Sequence, residues 1–204
     1  MPRIISRAEG GIVPLTHTTS RVLRPTPHFL VHYTGGGSPY AGNTDAQHMA
    51  RLQASAINAG KTWEYNYVVT FFQGWIWEMA GEFQGAHCLN FNPQSYGVQV
   101  NLGVGYEPSQ IVMDSVRWLF AELKKNGQLT QDAVMKCHYT FRSTACPGNT
   151  LADPPGPRWN SPTGEGSLGN PRKELLVPYN TLPPPAPPDP EIPHEDDEGH
   201  GSSL

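Results

Sequence analysis

The sequence predicts an α/β fold in which one β-sheet is packed by helices within a single domain. Three observations predict it. Short runs dense in β-branched and aromatic residues interleave along the chain with helical patterns, instead of clustering in one half. The helical patterns carry their own start and stop residues. At 204 residues and 37% apolar content, the chain is long enough to bury one good core and short for two.

Taken in order, His28 to Tyr33 (HFLVHY) reads as a strand halted by Gly35-Gly36-Gly37. Thr44 to Ala59 reads as a helix, because Thr44 and Gln47 have capping-box spacing and Gly60 is placed to end it. Tyr65 to Phe72 (YNYVVTFF) has strand composition, and Trp75 to Met79 is expected to pair with it across Gln73-Gly74. Tyr96 to Leu102 alternates and reads as a further strand. Pro108 to Lys125 is the clearest helix, with Ile111, Val112, Val116, Leu119, Phe120 and Leu123 on one stripe. Residues 150–172 are rich in Gly and Pro and are expected to wrap the body as irregular structure.

From residue 183 the composition changes. LPPPAPPDPEIP followed by HEDDEGHGSSL offers almost nothing to bury, so 1–182 is read as the domain and 183–204 as a disordered Pro-rich acidic tail. Six of the 18 acids lie in that tail with no Lys or Arg, leaving the body with 14 basic against 12 acidic side chains. A balance near +2 suits an anionic polymer and is far too weak for nucleic acid. No window approaches a membrane span, and MPRIISRAEGG has no apolar h-region, so neither membrane insertion nor a signal peptide is expected.

Three cysteines, Cys88, Cys137 and Cys146, are an odd count without framework spacing, which argues against a disulfide-stapled fold. Listing metal-ligand residue types brings out three positions. His32 ends the HFLVHY strand beside the glycine-rich loop, His138 follows a short apolar run, and Cys146 lies eight residues later in CHYTFRSTACPG. Two imidazoles and a thiolate leave one position of a tetrahedral zinc open, as catalytic sites do. By residue type alone a histidine on a strand also fits a core or surface role, and Tyr65 fits the core. Strand alternation points Cys137 away from His138, as a small buried apolar residue. Cys88 has no partner at ligand spacing.

Six blocks then fall in one order over about 145 residues: IISRAEGG (4–11), VHYTGG (31–36), EYNYVV (64–69), QGWIWEMAG (73–81), GAHCLNFNPQSYGVQV (85–100) and HYTFRSTACPG (138–148). In these the chain resembles the zinc N-acetylmuramoyl-L-alanine amidases of the type 2 class, which share a fold with peptidoglycan recognition proteins and with phage endolysin amidases. The resemblance implies a central mixed sheet flanked by helices, and one zinc (Zn2+) per chain held by His32, His138 and Cys146. It implies that zinc activates a water against the amide between N-acetylmuramic acid and L-alanine, while Tyr65 and Thr144 help to carry the developing charge. It places His87 and Asn92 along the substrate groove. Two departures stand out. Gly10 replaces a Trp of the family's opening block, which a nearby aromatic is expected to offset. Gln99 and Asn101 stand where some relatives carry a Glu, so no carboxylate is assigned as general base.

The expectation is therefore a monomeric peptidoglycan hydrolase. It is expected to be a phage lysin held in the host cytoplasm until a holin releases it, with the tail as a hinge toward a separate wall-binding or lytic module. The rivals are a recognition module on the same fold, whose members typically lack the cysteine, and an intracellular muropeptide-recycling amidase, which tends to use Asp as third ligand.

Overall fold

In the computed structural model the described residues are 2–13, 20–35, 44–60, 63–148, 151–153, 170–176 and 179. Among them the chain runs β1 (Ile4–Ile5), β2 (Thr26–Tyr33), α1 (Asp45–Asn58), β3 (Tyr67–Val69), β4 (Ile76–Glu78), β5 (Ser95–Val100), α2 (Gln110–Lys125), β6 (Leu129–Cys137), β7 (Ala152–Asp153), β8 (Asn170–Pro171) and α3 (Lys173–Leu176). Six strands form one sheet in the order β1-β4-β3-β5-β2-β6. Only β3 and β4 pair antiparallel; the other neighbours are parallel, so the sheet is mixed as expected. No helix among the described residues is long and apolar enough to cross a membrane.

The continuous apolar run Phe29-Leu30-Val31 explains why β2 takes a central place: all three are fully buried, which requires cover on both faces. Alternation then sorts the sheet's side chains between two layers. Phe29, Val31, Tyr67, Val69, Val98 and Val100 pack with the α2 residues Val112, Val116, Leu119 and Leu123. Met49 of α1 packs with Val68, Trp63, Trp77 and Met79 on the other side. Gly10 belongs to this second layer. A Cβ there would stand 2.6 Å from the Trp77 ring, so Trp77 occupies the space that a larger residue at 10 would claim.

The helix at 45–58 starts as the sequence dictates. The Thr44 hydroxyl accepts from Gln47 N at 3.3 Å, the Gln47 side chain accepts from Thr44 N at 2.9 Å, and Gly60 follows with φ of 59°. α2 begins at Gln110, two residues later than expected, because Ser109 is extended (ψ 163°). Ile111, expected on its buried stripe, is 36% exposed, and Met113 takes the inward place at 4%.

The strand expected over 65–72 shortens to three residues, and the cause lies in where its amides are spent. Thr70 N bonds to Trp75 O, closing a loop from Phe71 to Gly74 that is longer than the two-residue turn expected. The amides of Phe72 and Gln73 leave the ladder for the Asp45 carboxylate, at 3.2 and 2.9 Å. Asp45 is only 3% exposed. Asp45→Ala is therefore expected to lower unfolding free energy by about 1–3 kcal/mol, since two part-buried backbone amides lose a charged, buried acceptor. Urea denaturation checks this; an unchanged midpoint and slope would show that the amides find other acceptors.

Two sheet strands lay outside the elements assigned from sequence. β6 was anticipated only as a short apolar run before His138, because Thr130, Gln131, Asp132 and Lys136 interrupt its pattern; it lies at the edge of the sheet, where such residues reach solvent. β1 is too short to show a period. In the segment expected to be irregular, β7 and β8 pair antiparallel and α3 follows. Residues 154–169 and the tail at 183–204 lie outside the described residues.

Candidate metal centre

The sheet's register brings the first two ligand candidates together. β2 and β6 are parallel, with Val31 opposite Cys137. The next residue along each chain is a histidine, so His32 and His138 project on the same face, their ring centroids 4.5 Å apart. Cys137, one residue back, is fully buried away from them, as alternation requires. The position lies at the carboxyl ends of two neighbouring parallel strands, where open α/β sheets gather their ligands.

The third candidate arrives by a closed loop. After His138 the chain makes a 3-10 turn, with Phe141 N and Arg142 N donating to His138 O at 3.0 and 3.2 Å. It then returns so that Tyr139 N donates to Cys146 O at 3.0 Å. Thr144 Oγ1 accepts from Cys146 N at 3.3 Å and fixes the turn that presents the sulfur. Cys146 Sγ lies 3.6 Å from His32 Nδ1. One donor atom each from His32, His138 and Cys146 fall within 4.8 Å of one another, and no Asp or Glu joins them among the described residues.

The electrostatics fit a cation. Burial, with His87 and His138 nearby, pushes His32 well below the usual imidazole range, and burial with Arg142 takes His138 down to about 4. Both rings are thus neutral at pH 7 and keep a lone pair for a metal. Burial pushes the Cys146 thiol up to about 12, so its thiolate needs a positive charge beside it. Two neutral imidazoles and one thiolate are borderline-soft donors of the kind zinc takes, and a tetrahedral ion would have one position left.

Tyr65 lies beside His32, with the two ring centroids 5.0 Å apart. Burial, then Cys146 and Glu64, holds its phenol above the ordinary value. Beside it a cavity of about 120 Å³ lies between α1 and the sheet, lined by Tyr65, Trp63, Glu64, Gln99, Leu52 and Met79 among others. Gln99, opposite His32 in register, donates from Nε2 to Thr34 Oγ1 at 2.8 Å, and Thr34 Oγ1 donates to Asn101 Oδ1 at 3.3 Å. The position that carries a carboxylate in some relatives is thus a neutral amide network here.

The two groove candidates each have partners within the protein. Asn92 Oδ1 accepts from Cys88 N at 2.8 Å and pins the turn between them. His87 is 6% exposed and lies against His32, its Nδ1 3.2 Å from His32 Nε2. Sequence reasoning also passed over Asn66, whose amide donates to Gly81 O and Phe83 O and accepts from Gly97 N, tying β3, the end of the hairpin and β5 together beneath the centre. The signal was the Asn in the YNY block, an amide placed at the mouth of an otherwise apolar strand.

Known proteins share the family pattern and the fold. The family model for N-acetylmuramoyl-L-alanine amidase matches residues 23–149, which include His32, Tyr65, His138 and Cys146. No curated protein sequence matches the chain. Among solved structures, Drosophila peptidoglycan recognition protein SD is similar over 74% of this chain and 91% of its own, with 23% identity and a TM-score of 0.65. Drosophila peptidoglycan recognition protein LB covers the same shares at 22% identity and a TM-score of 0.66. Peptidoglycan recognition protein LE, solved with tracheal cytotoxin (a monomeric diaminopimelic acid-type peptidoglycan), is similar over 71% of this chain and 87% of its own, with 22% identity and a TM-score of 0.63. At these identities the likeness establishes the fold.

Proposed function

Because the chain belongs to the N-acetylmuramoyl-L-alanine amidase family, the type 2 class built on the peptidoglycan-recognition-protein fold, we propose that it is a zinc hydrolase cleaving the amide between N-acetylmuramic acid and L-alanine in bacterial peptidoglycan. The observation that carries this reading is the convergence of His32, His138 and Cys146 from three separate segments to within 4.8 Å. Zinc held there would supply a Lewis acid for the amide carbonyl and lower the pKa of a bound water toward 7. The chain's own residues do the rest. Tyr65 donates its hydroxyl hydrogen to the carbonyl oxygen as negative charge develops there, and Thr144, whose Oγ1 already accepts from Cys146 N, has its own proton to donate. The cavity beside Tyr65 receives the apolar part of the substrate and excludes water from that side. With Gln99 and Asn101 neutral, no carboxylate on β5 takes a proton.

In this reading residues 1–182 form the catalytic domain, and the Pro-rich acidic segment 183–204 is a hinge to a wall-binding or second lytic module. In the same reading the protein acts as a phage endolysin, and the Pro-rich composition of 183–204 supports the hinge.

Product analysis on purified sacculi tests the bond assignment. Digestion is expected to expose new L-alanine amino termini while the glycan strands keep their length. Glycosidic cleavage needs two carboxylates flanking the bond; the ligand trio includes none, and Glu64 is the only carboxylate lining the adjacent cavity among the described residues. New reducing ends without L-alanine amines would overturn the amidase reading. Tight binding to intact wall without cleavage would replace it with recognition.

A further inference from the structure

His87, expected in the substrate groove, has no room to serve there. Its ring lies over Gly97 of β5, where a Cβ would stand 2.4 Å from it, and a Cβ at Gly85 would stand 3.2 Å from its Cδ2. What it touches is polar at both nitrogens. Nδ1 is 3.2 Å from His32 Nε2, and Nε2 is 3.4 Å from Ser95 Oγ. Ser95 is itself fully buried, and its Oγ is 2.6 Å from the carbonyl oxygen of Phe91.

We infer that His87 and Ser95 are positioning residues for the metal centre: a three-link hydrogen-bond chain, anchored on the Phe91 carbonyl, fixes the tautomer of His32 so that Nδ1 is the bare, ligating nitrogen. The direction of the chain follows from its anchor. A carbonyl only accepts, so the Ser95 hydroxyl spends its proton on Phe91 O. The Ser95 oxygen then accepts, which puts the His87 proton on Nε2 and leaves Nδ1 a lone pair. His87 Nδ1 in turn accepts, which puts the His32 proton on Nε2. His32 Nδ1 is left bare, and it is the nitrogen that faces Cys146 Sγ at 3.6 Å. The chain also stops the imidazole from rotating out of line with His138. Partners of this kind raise ligand basicity and hold the ring, and losing one typically costs 10–100-fold in metal affinity. The small residue at 97 and the Ser-x-Gly spacing of 95–97 are thereby explained together: Ser95 supplies the acceptor and Gly97 the space.

The inference rests on the metal reading above, and its test separates the two. Two-bond ¹H–¹⁵N correlation spectra of the metal-free protein are expected to show His32 as a single tautomer protonated at Nε2. His87→Leu keeps the bulk and removes the acceptor; His32 should then populate both tautomers. Its zinc affinity, measured by competition with a chromogenic chelator, is expected to fall about 10–100-fold. His87→Asn places an amide oxygen where Nδ1 stood and is expected to recover most of that loss. Ser95→Ala, which leaves His87 in place and removes the hydroxyl acceptor while keeping the Ser95 backbone that His87 also bonds, provides the same reading if the Leu variant does not fold, with a smaller fall. His32 protonated at Nδ1 in the parent, or unchanged affinity in both His87→Leu and Ser95→Ala, would overturn the chain; so would an Asn variant no better than Leu. A parent that shows the expected tautomer yet binds no zinc would overturn the proposed function and leave the chain standing.

Discussion

Cys146→Ser is expected to fold as the parent does and to retain little zinc. The parent should hold close to one zinc per chain after desalting, by mass-spectrometric metal analysis. The fold should survive because the turn that holds Cys146 is closed through its backbone, to Tyr139 N and to Thr144 Oγ1, and a serine keeps that backbone. The metal should go because Cys146 is the sole anionic ligand of the three. Its thiol is held at about 12 by burial, and only a cation close by brings it to the thiolate at neutral pH. A serine hydroxyl is a far weaker acid and a poor zinc ligand. Amide cleavage should fall with the metal, to the limit of detection. Full zinc content and full activity in the variant would remove Cys146 from the ligand set.

Tyr65→Phe should leave zinc content and melting temperature unchanged and lower turnover about 100-fold, the scale of one lost oxyanion donor. The ring stays, so its packing against His32 is kept. What disappears is a hydroxyl that burial keeps protonated, since the phenol's pKa is raised and the neutral, donating form therefore persists throughout the neutral and mildly alkaline range. The loss should be uniform across that range. Unchanged turnover would return Tyr65 to a purely structural role, and lost zinc would make its role one of holding the centre.

The elements written most plainly in the sequence were those whose determinants are local. The capping box at Thr44 and Gln47 fixed the start of α1 within one residue, and the β-branched and aromatic runs located four of the six strands of the main sheet. The ligand trio was legible by residue type and by family resemblance, and the structure brings it together. What could not be read depends on contacts between distant segments. Asp45 captures the amides of Phe72 and Gln73 and cuts short a strand that composition would extend. Trp77 fills the place above Gly10. His87 looks like a groove residue from its block, yet its position is set by Gly97, whose missing side chain is invisible to any pattern of hydrophobicity. β6 was hidden because an edge strand tolerates the polar residues that disguise it.

The order of strands has a consequence for how the molecule comes to exist. The hairpin of β3 and β4 joins neighbours in the chain and can form by itself within a short loop. β2, in contrast, takes its partners from β5 and β6, and its pairing with β6 joins Val31 to Cys137 across most of the domain. Parallel pairings of this length pay their loop-closure entropy before any contact repays it, so they set the pace of folding. His32 and His138 become neighbours only when that pairing closes. The site is therefore born with the global fold: a half-folded chain carries two imidazoles and a thiol as unrelated groups, and they meet only when the long-range pairing closes.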